Sequence, residues 1–282
     1  MDSRFIKEGT FKIVHRGERS GDRFRRWLHS YLEKRTANMD KLVIFSGAGM
    51  SQESGLPTFR GDGGIWESID PDKVADYKAW YCGRRSDSKE RRQAVLDFIN
   101  PIRRQILSLS PNEAHYIAAR LEKDFDVTVI TQNGDDFHQR AGSTKVIHLH
   151  GEALKNASTM RPYIPIDIDP ANPDIKLGDK APDGSQIRPY IIFFNENLQY
   201  DIWKSAVQAI READMMIIVG CSLKVSPAAE MVEELREEAP LVVIDPAEPP
   251  FPIKHTYSHL KLAASKGMKV MEDTLIQKIL LQ

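Results

Sequence analysis

The residues that follow the apolar run 42–45 have the types and spacing of a phosphate-binding turn. Small residues and two glycines come next, in the order Ser46-Gly47-Ala48-Gly49-Met50-Ser51. A buried strand that ends in glycines before a helix lets a ligand phosphate approach free backbone N–H groups. Gln52 stands where the usual dinucleotide fingerprint has its third glycine, so the turn departs from that motif. The segment therefore predicts a divergent nucleotide site.

Polar residues with further chemical capacity follow other apolar runs. A histidine such as His150 can accept a proton near neutral pH. Asn133 and Asp135 can bind ribose hydroxyls or amide N–H groups. Taken singly, a histidine that ends a strand is more often a hydrogen-bonded core residue than a catalyst, and Asn and Asp after strands are typical of turns and helix caps. The three clusters are Thr131-Gln132-Asn133-Gly134-Asp135-Asp136-Phe137-His138, His148-Leu149-His150-Gly151 and Gly220-Cys221-Ser222-Leu223-Lys224-Val225-Ser226-Pro227-Ala228.

The elements that must position these clusters are short, continuous apolar runs separated by helix-like patterns. Continuous rather than alternating runs indicate a mostly parallel sheet that is covered on both faces, so we predict a doubly wound, Rossmann-like α/β fold. Ligands of such sheets bind outside the carboxyl ends of the strands, where all the polar clusters are expected to meet. The runs are 42–45, 127–130, 146–149, 190–194, 215–219 and 241–244.

The four motifs together resemble the signatures of the sirtuins, a family of NAD-dependent protein deacylases, and they occur in the family's order. The first is the glycine turn with its continuation Ser54-Gly55-Leu56-Pro57-Thr58-Phe59-Arg60. The others are similar to the family patterns T-Q-N-I/V-D-x-L-H-x-x-A-G, x-L-H-G and G-T-S-L-x-V-x-P-A. The resemblance extends from about residue 41 to the C-terminus and leaves the first forty residues unexplained.

The resemblance implies NAD as cofactor and assigns roles to individual residues. His150 is the expected catalytic base, which takes a proton from the ribose, and Asn133 and Asp135 are the other expected catalytic residues. Phe59 is expected to shield the reacting ribose carbon from water, and Arg60 to meet the phosphates or ribose. The residues expected to bind NAD are Gly47, Ala48, Gly49, Ser51, Phe59, Arg60, Gln132, Asn133, Asp135, Gly220, Ser222 and Asp245.

Several positions depart from the family pattern. Gly134 replaces Ile or Val, which we expect to loosen the wall of the nicotinamide pocket. Phe194 and Asn195 lie in the loop expected to bind the acyl peptide, and Asn195 replaces a glycine. Ile99 and Ile102 stand where relatives selective for acidic acyl groups have Tyr and Arg, so neutral acyl groups are expected to be preferred.

The resemblance also divides the chain into regions. Residues 1–40 form an N-terminal extension, whose apolar residues near helical spacing at 23–34 predict an amphipathic helix. Residues 41–282 form the catalytic domain, with a lid over the cofactor at about 61–92 and a small, mainly irregular insertion at about 152–190. Most sirtuins fold this insertion around four cysteines and zinc. It contains no cysteine here, so we expect no metal and a similarity to the zinc-free bacterial members.

Bulk properties narrow the choice of partners and compartment. The net charge is −1, so the overall charge of the chain gives no reason to expect binding to nucleic acid. Basic residues are in excess in the first forty-one positions, a segment that could contact an acidic partner or form a solvated polar face. Two cysteines without a disulfide framework and no apolar run of about eighteen residues predict a cytoplasmic protein without membrane contact.

The sequence thus predicts removal of acetyl or longer neutral acyl groups from lysines of a protein or peptide substrate, giving nicotinamide and O-acyl-ADP-ribose. An NAD glycohydrolase or ADP-ribosyltransferase that uses the same NAD site is the alternative, favoured by Gly134, Asn195 and the N-terminal segment. The expected shielding by Phe59 argues against simple hydrolysis. A third hypothesis, an NAD-sensing module without activity, is disfavoured because His150 and its polar neighbours are present.

Overall fold

A computed structural model describes residues 5–7, 10–15, 41–61, 63–83, 85–249 and 253–280. The amphipathic helix predicted for residues 23–34 lies outside these ranges. Eleven strands occur in the described residues. They are β1 Phe5–Lys7, β2 Thr10–His15, β3 Lys41–Ser46, β4 Asp126–Thr131, β5 Val146–His148, β6 Gly151–Ser158, β7 Pro165–Asp167, β8 Ile187–Ile191, β9 Met215–Val219, β10 Leu241–Ile244 and β11 Tyr257–Leu260.

Helices alternate with these strands along the chain. In the described residues the α-helices are α1 Ala48–Gln52, α2 Pro71–Val74, α3 Tyr77–Trp80, α4 Ser88–Ser108, α5 Glu113–Leu121, α6 Phe137–Ala141, α7 Tyr200–Glu212 and α8 Ala264–Leu280. Two 3-10 helices, Ile65–Glu67 and Ala228–Glu234, complete the set. None of these helices is long and apolar enough to span a membrane.

Eight strands form one sheet in the order β1-β2-β11-β10-β9-β3-β4-β5. Every neighbouring pair is parallel except β1 and β2. Side chains of successive strand residues point to opposite faces, and both faces are covered. Leu42 and Ile44 pack with residues of α5 and α8, whereas Val43 and Phe45 pack with residues of α7 and of the 3-10 helix at 228–234. The predicted doubly wound α/β fold is therefore confirmed.

Residues 190–194 do not join this sheet, contrary to the sequence prediction. Strand β8 pairs antiparallel with β6, and β6 pairs antiparallel with β7, so the insertion contains a three-stranded sheet of its own. Outside these three short strands the insertion is irregular, as the sequence predicts. Pairing partners are set by contacts between distant segments, which an apolar run does not specify.

Helix α4 anchors the small sheet to the rest of the molecule. The fully buried guanidinium of Arg103 donates hydrogen bonds to the carbonyl oxygens of Lys155 and Pro173, at 2.7 and 2.9 Å. Burial lowers the pKa of Arg103 to about 10, which still leaves the side chain charged at neutral pH. The small sheet is thereby held beside the carboxyl ends of the main strands.

The segment 61–92, expected to be a lid, contains α2, α3 and the start of α4. Asp70 and Asp76 cap α2 and α3, because their carboxylates accept hydrogen bonds from the backbone N–H groups of Asp72 and Lys78. Trp80 is fully buried between the segment and the small sheet. The segment is thus a folded element held by capped helices and an aromatic anchor.

Candidate active site

The turns after β3 and β9 pack backbone against backbone. The N–H groups of Gly47 and Gly49 donate to the carbonyl oxygens of Val219 and Gly220, at 3.1 and 2.8 Å. A Cβ on Gly220 would lie 2.2 Å from the backbone nitrogen of Met50, and Gly220 has a φ of +56°. These glycines are therefore required by the close approach of two strand ends, in addition to any ligand they accept.

The end of β4 is tied to the glycine turn by buried polar side chains. The Asn133 amide nitrogen donates to the carbonyl oxygen of Gly47 and to the Ser51 hydroxyl, both at 3.0 Å. Ser51 in turn donates to the Asp135 carboxylate at 2.8 Å, and the other Asp135 oxygen accepts from the backbone N–H of Phe137. Burial raises the pKa of Asp135, although its hydrogen bonds act in the opposite direction.

His150 lies in the turn after β5 and faces the end of β4. Its Nδ1 is 3.2 Å from the backbone carbonyl oxygen of Gln132. A carbonyl oxygen can only accept, so Nδ1 carries the proton and Nε2 of the neutral ring can act as a base. Burial lowers the pKa of His150, which favours this neutral form. The side-chain nitrogen of Gln132 is buried with no hydrogen-bond partner in the described structure.

The other histidines near these strand ends have structural contacts. His148 Nδ1 lies 2.9 Å from the carbonyl oxygen of Asn133, and its Nε2 lies 2.7 Å from the Gln139 side-chain nitrogen. His138 Nε2 lies 2.9 Å from the hydroxyl of Ser46, which donates to Thr131. Burial lowers the pKa of His138 far below its usual value and that of His115 to about 3. The rings of His115 and His138 are therefore neutral, and they lie on α5 and α6 where these helices meet the sheet.

Aromatic residues line the lid side of the site. Phe59, which is 38% exposed, stacks on Trp66 with ring centroids 5.3 Å apart. Trp66 also stacks on Phe98 at 5.5 Å and meets the edge of Phe194 at 6.1 Å. The Arg60 guanidinium lies 5.7 Å from the centre of the Phe194 ring. The structure therefore brings the predicted cofactor residues Phe59 and Arg60 next to the predicted substrate residue.

The ends of β9 and β10 form the opposite side of the crevice. The backbone N–H of Gly220 donates to the carbonyl oxygen of Ile244 at 2.9 Å, which places Gly220 beside the residue that precedes Asp245. Burial raises the pKa of Asp245, and Ser222 is exposed. Burial also raises the pKa of the Cys221 thiol to about 12, so this side chain remains protonated and is no nucleophile. No cluster of three or more metal-ligating side chains occurs among the residues that the structure describes.

Comparison with known proteins agrees with this geometry. Residues 47–227 match the family model of the Sir2 family. An NAD-dependent protein deacylase of Bacteroides thetaiotaomicron is 39% identical over 242 residues, which cover 84% of this chain and 99% of that protein. The chain belongs to the Sir2 family. A Helicobacter pylori NAD-dependent protein deacylase is 43% identical over 208 residues, which cover 74% of this chain and 83% of that protein.

Solved structures of Sir2 proteins have the same fold. A mutant Sir2 homologue in complex with ADP-ribose has a TM-score of 0.75 and 30% identity, covering 86% of this chain and 94% of that one. A Sir2 complex with a deacetylated p53 peptide and 3′-O-acetyl-ADP-ribose has a TM-score of 0.70 and 30% identity, covering 89% and 97%. Each similarity therefore extends over most of this chain.

Two departures from the Sir2 family pattern have a structural basis. A Cβ on Gly134 would lie 3.3 Å from the backbone nitrogen of Ala153, which donates to the Gly134 carbonyl oxygen at 2.7 Å. Strand β6 therefore packs closely against Gly134. Asn195 has a φ of +61°, a conformation that glycine adopts freely and that Asn tolerates better than most residues.

The remaining predicted substrate residues lie on α4. Ile99 is only 4% exposed and packs with Trp80 and Phe193, and Ile102 is partly buried against the same cluster. Glu196, next to Asn195, forms a buried ion pair at 2.8 Å with Arg188 of the small sheet. Sequence reasoning missed Asp76, whose only local signal was that of a helix cap, although its carboxylate also contacts Asn195.

Proposed function

We propose that this chain is an NAD-dependent protein deacylase that removes neutral acyl groups from lysines of proteins or peptides. The observation that carries the proposal is the geometry of His150, whose Nδ1 is bound to the Gln132 carbonyl oxygen and whose Nε2 is left for proton transfer. The named activity of the relatives supports it, since they include NAD-dependent protein deacylases that align over nearly their full length. The products are the free lysine, nicotinamide and O-acyl-ADP-ribose.

NAD fits the crevice as co-substrate. The buried, unpartnered Gln132 amide nitrogen can donate to a ribose oxygen, and the glycines at 47, 49 and 220 let the strand ends that form the crevice approach each other closely. Ser222 and Asp245 suit the adenosine ribose, because a carboxylate accepts well from ribose hydroxyls. NAD supplies a ribose carbon whose bond to nicotinamide is broken in the reaction.

The chain's own residues orient this co-substrate and move a proton. His150 Nε2 takes a proton from a ribose hydroxyl, because the neutral ring is the form that burial favours. Asn133 and Asp135 hold the glycine turn and α6 in register. Their proposed contacts with NAD are to the ribose for Asn133 and to the nicotinamide amide for Asp135. Phe59 excludes water from the reacting carbon, and Ala48, Ser51 and Arg60 complete the NAD contacts.

Mass spectrometry of the products, with and without an acetyl-lysine peptide, tests the proposal. We expect O-acetyl-ADP-ribose and deacetylated peptide only when both NAD and peptide are present. Free ADP-ribose formed at the same rate without peptide would support the alternative, an NAD glycohydrolase. ADP-ribosylated protein as the main product would support a transferase.

The preference for neutral acyl groups follows from Ile99 and Ile102. Burial of a succinyl carboxylate beside these side chains, without a cationic partner, would cost several kcal/mol. An acetyl group avoids that cost, and each buried methylene of a longer chain would gain about 0.8 kcal/mol. We expect kcat/KM to be higher for acetyl and butyryl peptides than for a matched succinyl peptide. A succinyl value equal to or above the acetyl value would contradict this assignment.

We also propose that the insertion, about 152–190, folds without zinc. It has no cysteine, and side chains link its ends: the Ser158 hydroxyl is bonded to Asp183 and lies 2.8 Å from that of Ser185. Arg188 and Glu196 add a buried ion pair. Elemental analysis of protein purified without added metal should find far less than one zinc per chain, and about one zinc per chain would overturn the proposal.

The remaining assignments concern organisation and compartment. We propose that residues 1–40, whose described parts 5–7 and 10–15 form β1 and β2 of the main sheet, can contact a partner, and that about 61–92 acts as the lid of the catalytic domain. Cys82 and Cys221 are both buried and free. Free thiols suit a reducing compartment, so we place the protein in the cytoplasm.

A further inference from the structure

The loop that carries Phe194 and Asn195 is bound directly to the lid. The backbone N–H of Phe194 donates to the carbonyl oxygen of Ala75, and the N–H of Tyr77 donates to the carbonyl oxygen of Phe194, both at 2.8 Å. The Asn195 side-chain nitrogen donates to the carboxylate of Asp76 at 2.5 Å. Three hydrogen bonds over two consecutive residues therefore fasten the loop to residues 75–77.

The side-chain bond requires both Asp76 and Asn195. Asn195 is held with φ at +61°, and its amide meets an acceptor that is 7% exposed and negatively charged. The other carboxylate oxygen of Asp76 accepts from the N–H of Lys78 at 2.7 Å. Asp76 thus caps α3 and holds Asn195 at the same time, whereas a glycine at position 195 would lack the second contact.

The bond joins two functional regions of the site. Phe194 lies between Arg60 and Trp66, and Trp66 stacks on Phe59. The far end of the loop is held by the small sheet, because Glu196 accepts from the N–H of Phe193 and pairs with Arg188. The contacts of Phe194 and Asn195 therefore connect the residues assigned to NAD with those assigned to the acyl peptide.

We propose that Asp76 is a positioning residue that, through Asn195, makes the acyl-peptide loop move with the lid and so couples peptide binding to occupancy of the NAD site. The proposal rests on the deacylase function proposed above. It concerns substrate binding rather than proton transfer, so the Asp76–Asn195 pair should affect KM for the peptide and leave kcat nearly unchanged.

Two substitutions break the contact with little other change. Asp76→Ser keeps a residue that caps helices well but is too short to reach Asn195, and Asn195→Gly keeps the backbone conformation while removing the amide. Each should raise KM for an acetyl-lysine peptide about tenfold, because that is the change in affinity expected from the loss of one charge-assisted hydrogen bond. The kcat of each variant should stay within about twofold of the wild-type value. The double variant should resemble either single variant, because both remove the same bond.

Asp70→Ser is the matched control. Asp70 caps α2 of the same lid through the same kind of bond, to the N–H of Asp72 at 3.1 Å, and is exposed. Its KM should equal that of the wild type. The proposal would be overturned if the increase in KM of the double variant equalled the product of the two single increases. It would also be overturned if KM were unchanged in both single variants. Thermal unfolding of every variant, expected within a few degrees of the wild type, checks that the fold is kept.

A binding measurement distinguishes loss of the coupling between the peptide and NAD sites from a general loss of structure. Calorimetric titration of acetyl-lysine peptide, without and with saturating ADP-ribose, should show tighter peptide binding with ADP-ribose for the wild type and the Asp70→Ser control. The Asp76→Ser and Asn195→Gly variants should lose that difference. Retention of the full difference in both would contradict the proposal. A wild-type protein that deacetylates no peptide would instead refute the proposed function, so the two failures are distinguishable.

Discussion

At the scale of single residues, the histidines near the strand ends differ in the hydrogen-bond partners and the burial of their ring nitrogens. His148 has partners at both ring nitrogens, and His138 is fully enclosed beside Ser46. The hydrogen-bond partner of His150 in the described structure is a carbonyl oxygen at Nδ1, which places the proton on Nδ1 and leaves Nε2 as the basic nitrogen of the neutral ring. His150 is therefore the histidine for which we propose a catalytic role.

The lowered pKa of His150 predicts the pH profile. A general base works in its deprotonated form, so a pKa below the ordinary value of about 6.5 extends activity to lower pH. We expect kcat/KM for the acetyl peptide to stay level from pH 8 to about 6.5 and to fall only below that value. Initial rates across this range measure it, and a fall that begins above about pH 7 would contradict the assignment.

Replacement of the base gives a second test of the same residue. His150→Ala should lower kcat at neutral pH by about 10²-fold or more, while the thermal shift caused by NAD remains. His255→Ala is a suitable control, since His255 is bonded to the carbonyl oxygens of Thr256 and Arg236 away from the site. Its kcat should match that of the wild type.

At the scale of elements, the site depends on strand-end turns that touch each other. The turns after β3 and β9 share the hydrogen bonds of Gly47 and Gly49, and Asn133 ties the end of β4 to the first of them. Because each turn uses another as its hydrogen-bond partner, displacement of one would disturb the others. The crevice is therefore set by backbone packing before any ligand binds.

Gly220→Ala tests this packing. The new Cβ would lie 2.2 Å from the backbone nitrogen of Met50, and Ala would also have to adopt a positive φ. Gly83→Ala is the matched control, since Gly83 has a φ of +65° but no described atom within 4 Å of the place its Cβ would take. We expect losses in the free energy of unfolding of about 3 kcal/mol or more for Gly220→Ala and about 1 kcal/mol for Gly83→Ala. Urea denaturation compares them, and equal losses would refute the packing argument.

At the scale of the whole molecule, two sheets are joined by α4, the lid and the 193–196 loop. Arg188 and Glu196 form the buried ion pair of the small sheet, and the rings of Tyr81, Tyr163 and Phe193 lie within 5.5 Å of the guanidinium. Burial alone would raise the pKa of Glu196, but the hydrogen bonds and charge of Arg188 outweigh it and lower the pKa. The stability of this region should therefore depend on pH.

The sign of that dependence follows from the lowered pKa. Glu196 stabilises the fold fully above its unfolded pKa of about 4.3, and this contribution is lost as the pH falls through the folded value. Glu196→Gln leaves Arg188 buried without a charged partner, so it should cost about 3 kcal/mol at pH 7. Urea unfolding at pH 7 and pH 3.5 should show a smaller difference between variant and wild type at the lower pH. An equal difference at both values would refute the ion-pair argument.

The sequence by itself determined the fold class, the family and the segments that form the crevice. The strands at 42–45 and 215–219 are each recognised from a local pattern, a continuous apolar run with a glycine soon after it. This pattern can be read without knowing any contact between distant residues. The same holds for the motifs around Asn133 and His150. These features could be predicted because they depend on residues that are neighbours in the chain.

Only the tertiary structure decided how the segments meet. The run 190–194 satisfied the same pattern as the central strands, yet its backbone pairs with β6, because strand pairing is settled by contacts far apart in sequence. Ala153 of β6 lies against Gly134. Asp76 forms a hydrogen bond with Asn195, which is 119 positions away in the chain. Local sequence indicates which residues can form turns, helix caps or strands. Their contact partners are determined only when the two sheets and the segment 61–92 pack together.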